Sequence, residues 1–528
     1  MGKTLEIKND IKNSYKTIGT ISLVILSGII VRLIIFPYDI PFKLDSLDYF
    51  SYAFTTSQIG ELPRSWALAN NGWPVIISFF FRLFNGEFLD YVFLQRFTSV
   101  IFSVFTVIPL FFIAKHFVPK NIAILSTIIF IFEPRIILNS LNGETMPIYI
   151  FIGVSIISLF LTNRIRYIHI AFMLIAILTF IRYEGILLII PLSIMFFWKY
   201  KNKKEIITYV TIIGLFLLVL TPIVYLRIDA YEQDGISSHL IRGGEYVSIT
   251  LTEGYSDDEP WVNEEKDNVS AFFYSGINGI IKFFGFSLIP IFGFFVIPSI
   301  ILCLKEKSFS KINFKMSTII FAGIVFLIPA FFAYGRHLEE IRYMMIVYPF
   351  LAIFSVYIIT KLYENQKKIF LFIIISGILI SSSAYIVFSL EDYNHEREAF
   401  SIAEKVVSLS NGYNIYTPES QYIKTAEVSK NWPSIPEHDD DGHVKRKILR
   451  IDDMNFESIK LFLTNSESQG ITHLIIDNRS EPKFLKEVFL NEEKFPYLTK
   501  IYDSNNDNLK YKVKIFEINF EKFHKFTE

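Results

Sequence analysis

Cysteine is almost absent from this chain: 528 residues contain one, Cys303. No intramolecular disulfide forms, no Cys-x-x-Cys metal site exists, and thiol usage says nothing about compartment. Charge of either sign is also nearly balanced, at −1 overall, so no basic excess points to nucleic acid. No internal repeat of solenoid period is found. The N-terminal apolar run lacks a small-residue cleavage pattern, which reads as a signal anchor rather than a cleavable leader.

What the chain has in quantity is apolar length. Hydrophobic residues make up 52%, with 54 Phe and 28 Tyr, and the mean hydropathy is +0.39. A hydrocarbon core of roughly 30 Å needs about 20 apolar residues in a helix, and only helices satisfy their own backbone there. Eleven runs qualify, near 18–36, 90–114, 121–138, 146–162, 167–181, 185–198, 206–227, 286–304, 316–334, 343–360 and 369–389. The apolar piece 73–84 is too short to cross and reads as an interfacial or re-entrant helix.

Lys and Arg gather at alternate junctions: Lys3 to Lys16, Lys115/Lys120, Arg164/Arg166, Lys199 to Lys204, Lys305 to Lys315 and Lys361 to Lys368. Because basic residues concentrate in short cytoplasmic loops, the N-terminus is expected inside and the C-terminus outside. Past Leu390 the apolar runs shorten and Lys, Glu, Asp and Asn spread throughout. Residues 396–409 carry Ala399, Ile402, Ala403 and Val406 at helical spacing, and a second helix begins at 458. Strand-like runs follow at 471–476, 498–502 and 512–518, the last two flanking a turn at Asn505-Asn506-Asp507-Asn508. The expected fold is therefore a polytopic α-helical membrane protein of about eleven spans (1–390) carrying a soluble α/β domain (391–528).

External segments 37–72 and 228–274 are long, and the latter is acidic from Glu253 to Asp267. Such a run reads as a solvated loop or as a mobile lid. In the first loop, Asp45 and Asp48 stand three residues apart, which places both on one helix face. Carboxylates near a low-dielectric boundary hold protons more tightly unless paired, a condition suited to a general base; two aspartates capping a short interfacial helix have the same spacing. Glu144, with Glu133 nearby, sits in the turn before the 146–162 run, either as a site acid or as a charge favoured by the next helix dipole.

Arginines recur at the outer ends of spans, against the positive-inside bias: Arg182-Tyr183-Glu184-Gly185, Tyr334-Gly335-Arg336-His337 and Arg342-Tyr343. A phosphate ligand favours them through paired charge-assisted hydrogen bonds; an intramolecular pair, Arg182 with Glu184 or Arg342 with Glu339, does so as well. The stretch His438 to His443 is metal-like in composition only and reads as a surface loop. Asn268-Val269-Ser270 and Asn478-Arg479-Ser480 are glycosylation sequons.

Across 18–390 these motifs together resemble glycosyltransferases of the GT-C fold that use polyprenyl-phosphate sugars, in the protein O-mannosyltransferase and aminoarabinose transferase group, with an archaeal style. The resemblance is carried by Asp45, Asp48 and Tyr49; by Asn70-Asn71-Gly72-Trp73-Pro74; by Pro134-Arg135 with Asn139-Ser140; by Arg182-Tyr183-Glu184-Gly185; and by Arg342-Tyr343 before Tyr348-Pro349. Relatives often place an acidic residue directly before the proline where this chain has Met146-Pro147, and Glu144 stands two positions earlier. A Trp-Trp-Asp triplet is absent, which disfavours the oligosaccharyltransferase branch.

The resemblance implies inverting transfer of one sugar from a polyprenyl (dolichyl-type) phosphate to a protein, lipid or glycan acceptor outside the cytoplasm. It implies Asp45, then Asp48, as base, with Glu144 as a further acidic site residue. Arg182, Tyr183, Arg336, His337 and Arg342 would bind the lipid phosphate. Asp45 and Asp48 also suit a Mg²⁺ or Mn²⁺ ion, although some similar enzymes need no metal. A transporter or flippase of a lipid-linked or polar substrate is the competing reading, but it would gather charge at mid-bilayer on broken helices.

Overall fold

A computed structural model describes residues 2–527 apart from 65, 69, 163, 201, 253–268, 306–326, 335–340, 365–367, 410–412, 417–420, 439–448, 451–455, 469 and 480–482. Arg336, His337, Glu339, the acidic run, most of the 316–334 span and Asn268 of the first sequon lie outside the described residues. The protein is mostly helical, with a small sheet near the C-terminus.

The first twelve helices are α1 (Gly2–Ile34), α2 (Asp45–Ile59), α3 (Gly72–Arg82), α4 (Phe88–Phe105), α5 (Val107–Ala114), α6 (Lys120–Ile131), α7 (Pro134–Leu141), α8 (Met146–Leu161), α9 (Ile165–Ile181), α10 (Ile189–Lys199), α11 (Lys203–Tyr231) and α12 (Ser237–Thr252). Among the described residues, five stretches are long and apolar enough to cross a bilayer: Tyr15–Ile34, Phe88–Ala114, Lys204–Tyr231, Ile341–Lys361 and Phe372–Ser408. The protein is an integral membrane protein on that ground.

A sixth crossing arises if α6 and α7 count as one span bent by 54°. The bend has a local cause. Glu133, directly before Pro134, is extended (φ −65°, ψ 121°), because proline disfavours helical geometry in the residue preceding it. Its carboxylate then accepts from Ile136 N at 2.8 Å, capping α7, which begins on the proline. Several other expected spans are shorter helices: α8 has 16 residues and α9 has 17, and the 185–198 run is split between a 3₁₀ turn (Tyr183–Leu188) and α10. Hydropathy alone thus counts more crossings than helix length does.

The chain divides into two compact units. One comprises Met1–Phe36, Ile59–Phe80 and Leu94–Ile386; the other comprises Pro37–Gln58, Phe81–Phe93 and Val387–Glu528. The composition change at Leu390 does not interrupt the backbone, since one helix runs from Lys368 to Ser408. Charged helix formers such as Glu391, Glu396, Arg397 and Glu398 continue it.

In the second unit five strands form a sheet: β1 (Tyr413–Tyr416), β2 (Leu449–Arg450), β3 (His473–Asp477), β4 (Leu498–Asp503) and β5 (Val513–Ile518), ordered β2-β1-β3-β5-β4. β1 is parallel to β2 and β3, whereas β5 is antiparallel to β3 and β4. The expected hairpin is β4–β5, its turn closed by Asn508 at φ 55°. Alternation splits the strands' side chains between two cores. Ile475, Val513 and Ile515 face Ala399, Ile402, Ala403 and Val406. Leu474, Ile476, Phe516 and Ile518 face Phe462, Leu463, Leu485 and Val488.

In the first unit, the turn after α11 carries Glu232 and Gly235 at positive φ, and Asp234 caps α12 by accepting from the backbone N–H groups of Ile236, Ser237 and Ser238. Partial burial pushes the Asp234 carboxyl up, but the hydrogen bonds from Ser237, Ile236 and Ser238 outweigh it and bring it down to about 2. A depressed folded-state value means that the cap stabilises fully above pH 4 and is lost as pH falls toward 2. Asp234→Ala should cost about 1 kcal/mol at neutral pH, and the gap in melting temperature from wild type should close on acidification. A gap that stays constant to pH 2.5 would show that the ionised cap contributes nothing.

Candidate active site

Arg182 occupies the end of α9, where the backbone turns extended (φ −146°, ψ 122°) and gives way to the 3₁₀ turn. That turn folds against α9 so closely that a Cβ on Gly185 would lie 2.8 Å from Leu178 Cγ; a Cβ on Gly72, at the start of α3, would lie 2.5 Å from the Phe180 carbonyl oxygen. Both motif glycines are therefore packing requirements. The Arg182 guanidinium is buried. Its Nε donates to Glu184 Oε1, its Nη1 donates to Thr145 Oγ1 at 2.9 Å, and the rings of Tyr343 and Tyr149 lie 5.6 and 5.8 Å from it. Tyr183 packs on His239, with ring centroids 4.9 Å apart.

The turn before α8 is pinned from two sides. Gly143, at φ +74°, presents its carbonyl to Trp73 Nε1 at 2.8 Å and to Gln95 Nε2 at 2.9 Å. This leaves Glu144 beside Arg342, with Nη1 to Oε2 at 3.9 Å, and the two side chains are 25% and 17% exposed. The structure thus brings Glu144, Arg182, Tyr183 and Arg342 together, joined by Thr145, Tyr149, Glu184 and Tyr343. The two arginines differ in character. Arg182 is held in a buried ion pair with Glu184, the intramolecular alternative raised by the sequence; Arg342 makes a long, partly wet pair of little strength, which an incoming anion can displace.

Asp45 and Asp48 belong to the other unit, in the first turn of α2. Asp48 is buried, at 5% exposure, whereas Asp45 is half-buried. Leu44, directly before them, has φ 50°, a conformation costly for a bulky side chain, and its carbonyl accepts from the N–H groups of Leu47 and Asp48. Among the described residues no group of three or more His, Cys, Asp or Glu converges as a metal site. The Asp45/Asp48 donor set fits Mg²⁺ in kind, since that ion takes one or two carboxylates and completes its shell with water and phosphate.

Two motifs singled out in the sequence are tied up with arginines instead, of which Arg227 and Arg32 are buried and Arg135 is half-buried. Arg227, which the sequence reading did not single out, donates from Nε to Asn71 Oδ1 at 2.9 Å and from Nη2 to the Phe180 carbonyl at 3.0 Å, while Asn71 Nδ2 donates to Tyr231 OH. Arg32 donates to Ser140 Oγ at 2.9 Å and Ser103 Oγ at 3.3 Å. Arg135 donates to the carbonyls of Phe286 and Ile289. The partners lie roughly 50 to 160 positions apart in sequence, so no local spacing reveals them.

No family model matches the sequence, and no curated protein does. Solved structures do share the fold. The apo oligosaccharyltransferase of Archaeoglobus fulgidus aligns with a TM-score of 0.52 at 11% identity, over 92% of this chain and 73% of that one. The same figures hold for archaeal oligosaccharyltransferase AglB from that organism in complex with an inhibitory peptide and a dolichol-phosphate. This chain has the GT-C fold. ArnT from Cupriavidus metallidurans, bound to undecaprenyl phosphate, is a looser likeness, with a TM-score of 0.48 at 10% identity over 94% of this chain and 98% of that one. At 11% identity the likeness concerns the GT-C architecture alone.

Proposed function

We propose that this GT-C protein is a glycosyltransferase that moves one sugar from a polyprenyl-phosphate carrier to a hydroxyl or amide acceptor on the extracytoplasmic side. The observation that carries the reading is the cluster of Glu144, Thr145, Arg182, Tyr183 and Arg342 at the ends of α8 and α9 and the start of the segment Ile341–Val347. A phosphate headgroup there meets a displaceable guanidinium, Arg342, backed by a fixed one, Arg182. The dolichol-phosphate held by the AglB structure supports a lipid phosphate as the carrier.

The step is a single displacement. The acceptor oxygen or nitrogen attacks the anomeric carbon, the bond from that carbon to the phosphate oxygen breaks, and configuration inverts. Asp45 takes the acceptor's proton, with Asp48 as the second candidate; Arg342, Arg182, Arg336 and His337 stabilise the charge that develops on the departing phosphate. A Mg²⁺ or Mn²⁺ ion would be held by Asp45 and Asp48 and would supply positive charge to the reaction. The same proposal includes an eleven-span membrane domain (1–390) with its N-terminus inside, in which the 16 residues of α8 span about 24 Å. An extracytoplasmic domain (391–528) would dock the acceptor or cover the site.

The test uses the full chain in liposomes with a radiolabelled sugar on a polyprenyl phosphate, in the presence of peptide, lipid and glycan acceptors. Label appearing on an acceptor with release of polyprenyl phosphate is expected. Labelled lipid that changes leaflet without losing its sugar would establish the transporter reading in its place.

A further inference from the structure

The acidic turn of α2 is held by the soluble domain. On its N-terminal side, Thr425 Oγ1 donates to the Phe42 carbonyl, Lys43 pairs with Glu396, and Arg397 Nε donates to Asp39 Oδ2 at 2.6 Å. On its C-terminal side, the Trp432 indole sits among Phe54, Tyr91, Phe88 and Phe50, with ring centroids 4.2, 5.1, 5.7 and 5.8 Å away. All of these residues belong to the second unit, and those four rings are buried. Phe50 and Phe54 follow Asp45 by five and nine residues, so at about 100° per residue they lie roughly 140° and 180° around the helix from it. Trp432 therefore grips the face of α2 opposite the carboxylates. Between the two holds stands Leu44 at positive φ, a conformation that persists only where its surroundings over-determine it.

We propose that Trp432 is a positioning residue for the acidic turn: through it and Thr425 the soluble domain sets the attitude of Asp45 and Asp48. This rests on the reading of Asp45 as the base. The domain is then a working part of the catalytic apparatus, whatever it does for the acceptor. Aromatic packing suits the task because ring pairs fix orientation as well as distance, and a displacement of about 1 Å in a reacting group can cost roughly 100-fold in rate.

The experiment compares wild type with Trp432→Ala, Trp432→Phe and Thr425→Val in the full chain, measuring transfer kinetics and amide hydrogen exchange across residues 45–56. Trp432→Ala and Thr425→Val are expected to speed exchange in that segment and to lower kcat by roughly 10- to 100-fold, with donor KM held within about twofold. Trp432→Phe should recover most of both. Thr425→Val, nearly isosteric, keeps the test open if Trp432→Ala does not fold. Unchanged exchange in 45–56 for the folded variants, or a loss that falls on donor KM alone, overturns the proposal. Faster exchange with undiminished transfer leaves the brace standing and overturns Asp45 as the base.

Discussion

Replacing Asp45 with alanine is expected to lower sugar transfer by about two to four orders of magnitude, the range over which a positioned general base acts, while expression and melting temperature stay near wild type. Asp45 is the first residue of α2 and only half-buried, so its loss removes a favourable charge at the helix N-terminus worth about 0.3–1 kcal/mol. Asp48 differs: it is buried, and Asp48→Ala should lower stability along with rate. Asp45→Asn keeps the shape and hydrogen-bonding capacity but not the basicity, and should be as inactive as alanine. Transfer measured at saturating donor and acceptor checks this. Full activity in Asp45→Asn would remove proton transfer from the residue's role, and full activity in Asp45→Ala would remove the residue from the site.

Much of the framework was legible because bilayer crossing demands length. Runs such as 18–36 and 206–227 announce themselves by hydropathy and return as the stretches Tyr15–Ile34 and Lys204–Tyr231. What hydropathy does not register is a break in the backbone. Glu133-Pro134 divides the 121–138 run into two helices, and the 3₁₀ turn Tyr183–Leu188 takes the start of the 185–198 run; neither changes the apolar content that was counted. The composition change at Leu390 was equally visible, but one helix, carrying Glu391, Glu396, Glu398 and Glu404 beyond it, crosses it intact.

The site was legible in part. Charges at the ends of spans stand out because they run against the bias of their surroundings, and Glu144, Arg182 and Arg342 were found that way. Some partners were hidden: Thr145 and Tyr149 are ordinary in sequence, and the role of Trp73 rests on a glycine carbonyl 70 positions away. Trp432 carried no local signal, because the rings around it come from α2 and the beginning of α4. A pattern confined to neighbours along the chain cannot register a contact nearly 400 positions long.

Arg182 is where a structural role and the proposed chemical one coincide, and a pair of substitutions separates them. Its side chain is 6% exposed and that of Glu184 is fully buried, so Arg182→Ala alone strands an ionised or protonated carboxyl in the interior and should cost about 3–5 kcal/mol. Loss of transfer in that variant therefore says little about chemistry. Adding Glu184→Gln removes the stranded charge, and the double variant should regain most of the lost melting temperature. If the guanidinium also stabilises the departing phosphate, transfer in the recovered double variant should stay about 100-fold or more below wild type, the scale of removing one such electrostatic partner. Arg342→Ala is the complementary case: its pair with Glu144 is long and partly wet, so stability should hardly move while kcat falls. A double variant that regains both stability and rate would make Arg182 a structural residue and leave the phosphate to Arg342 and its neighbours.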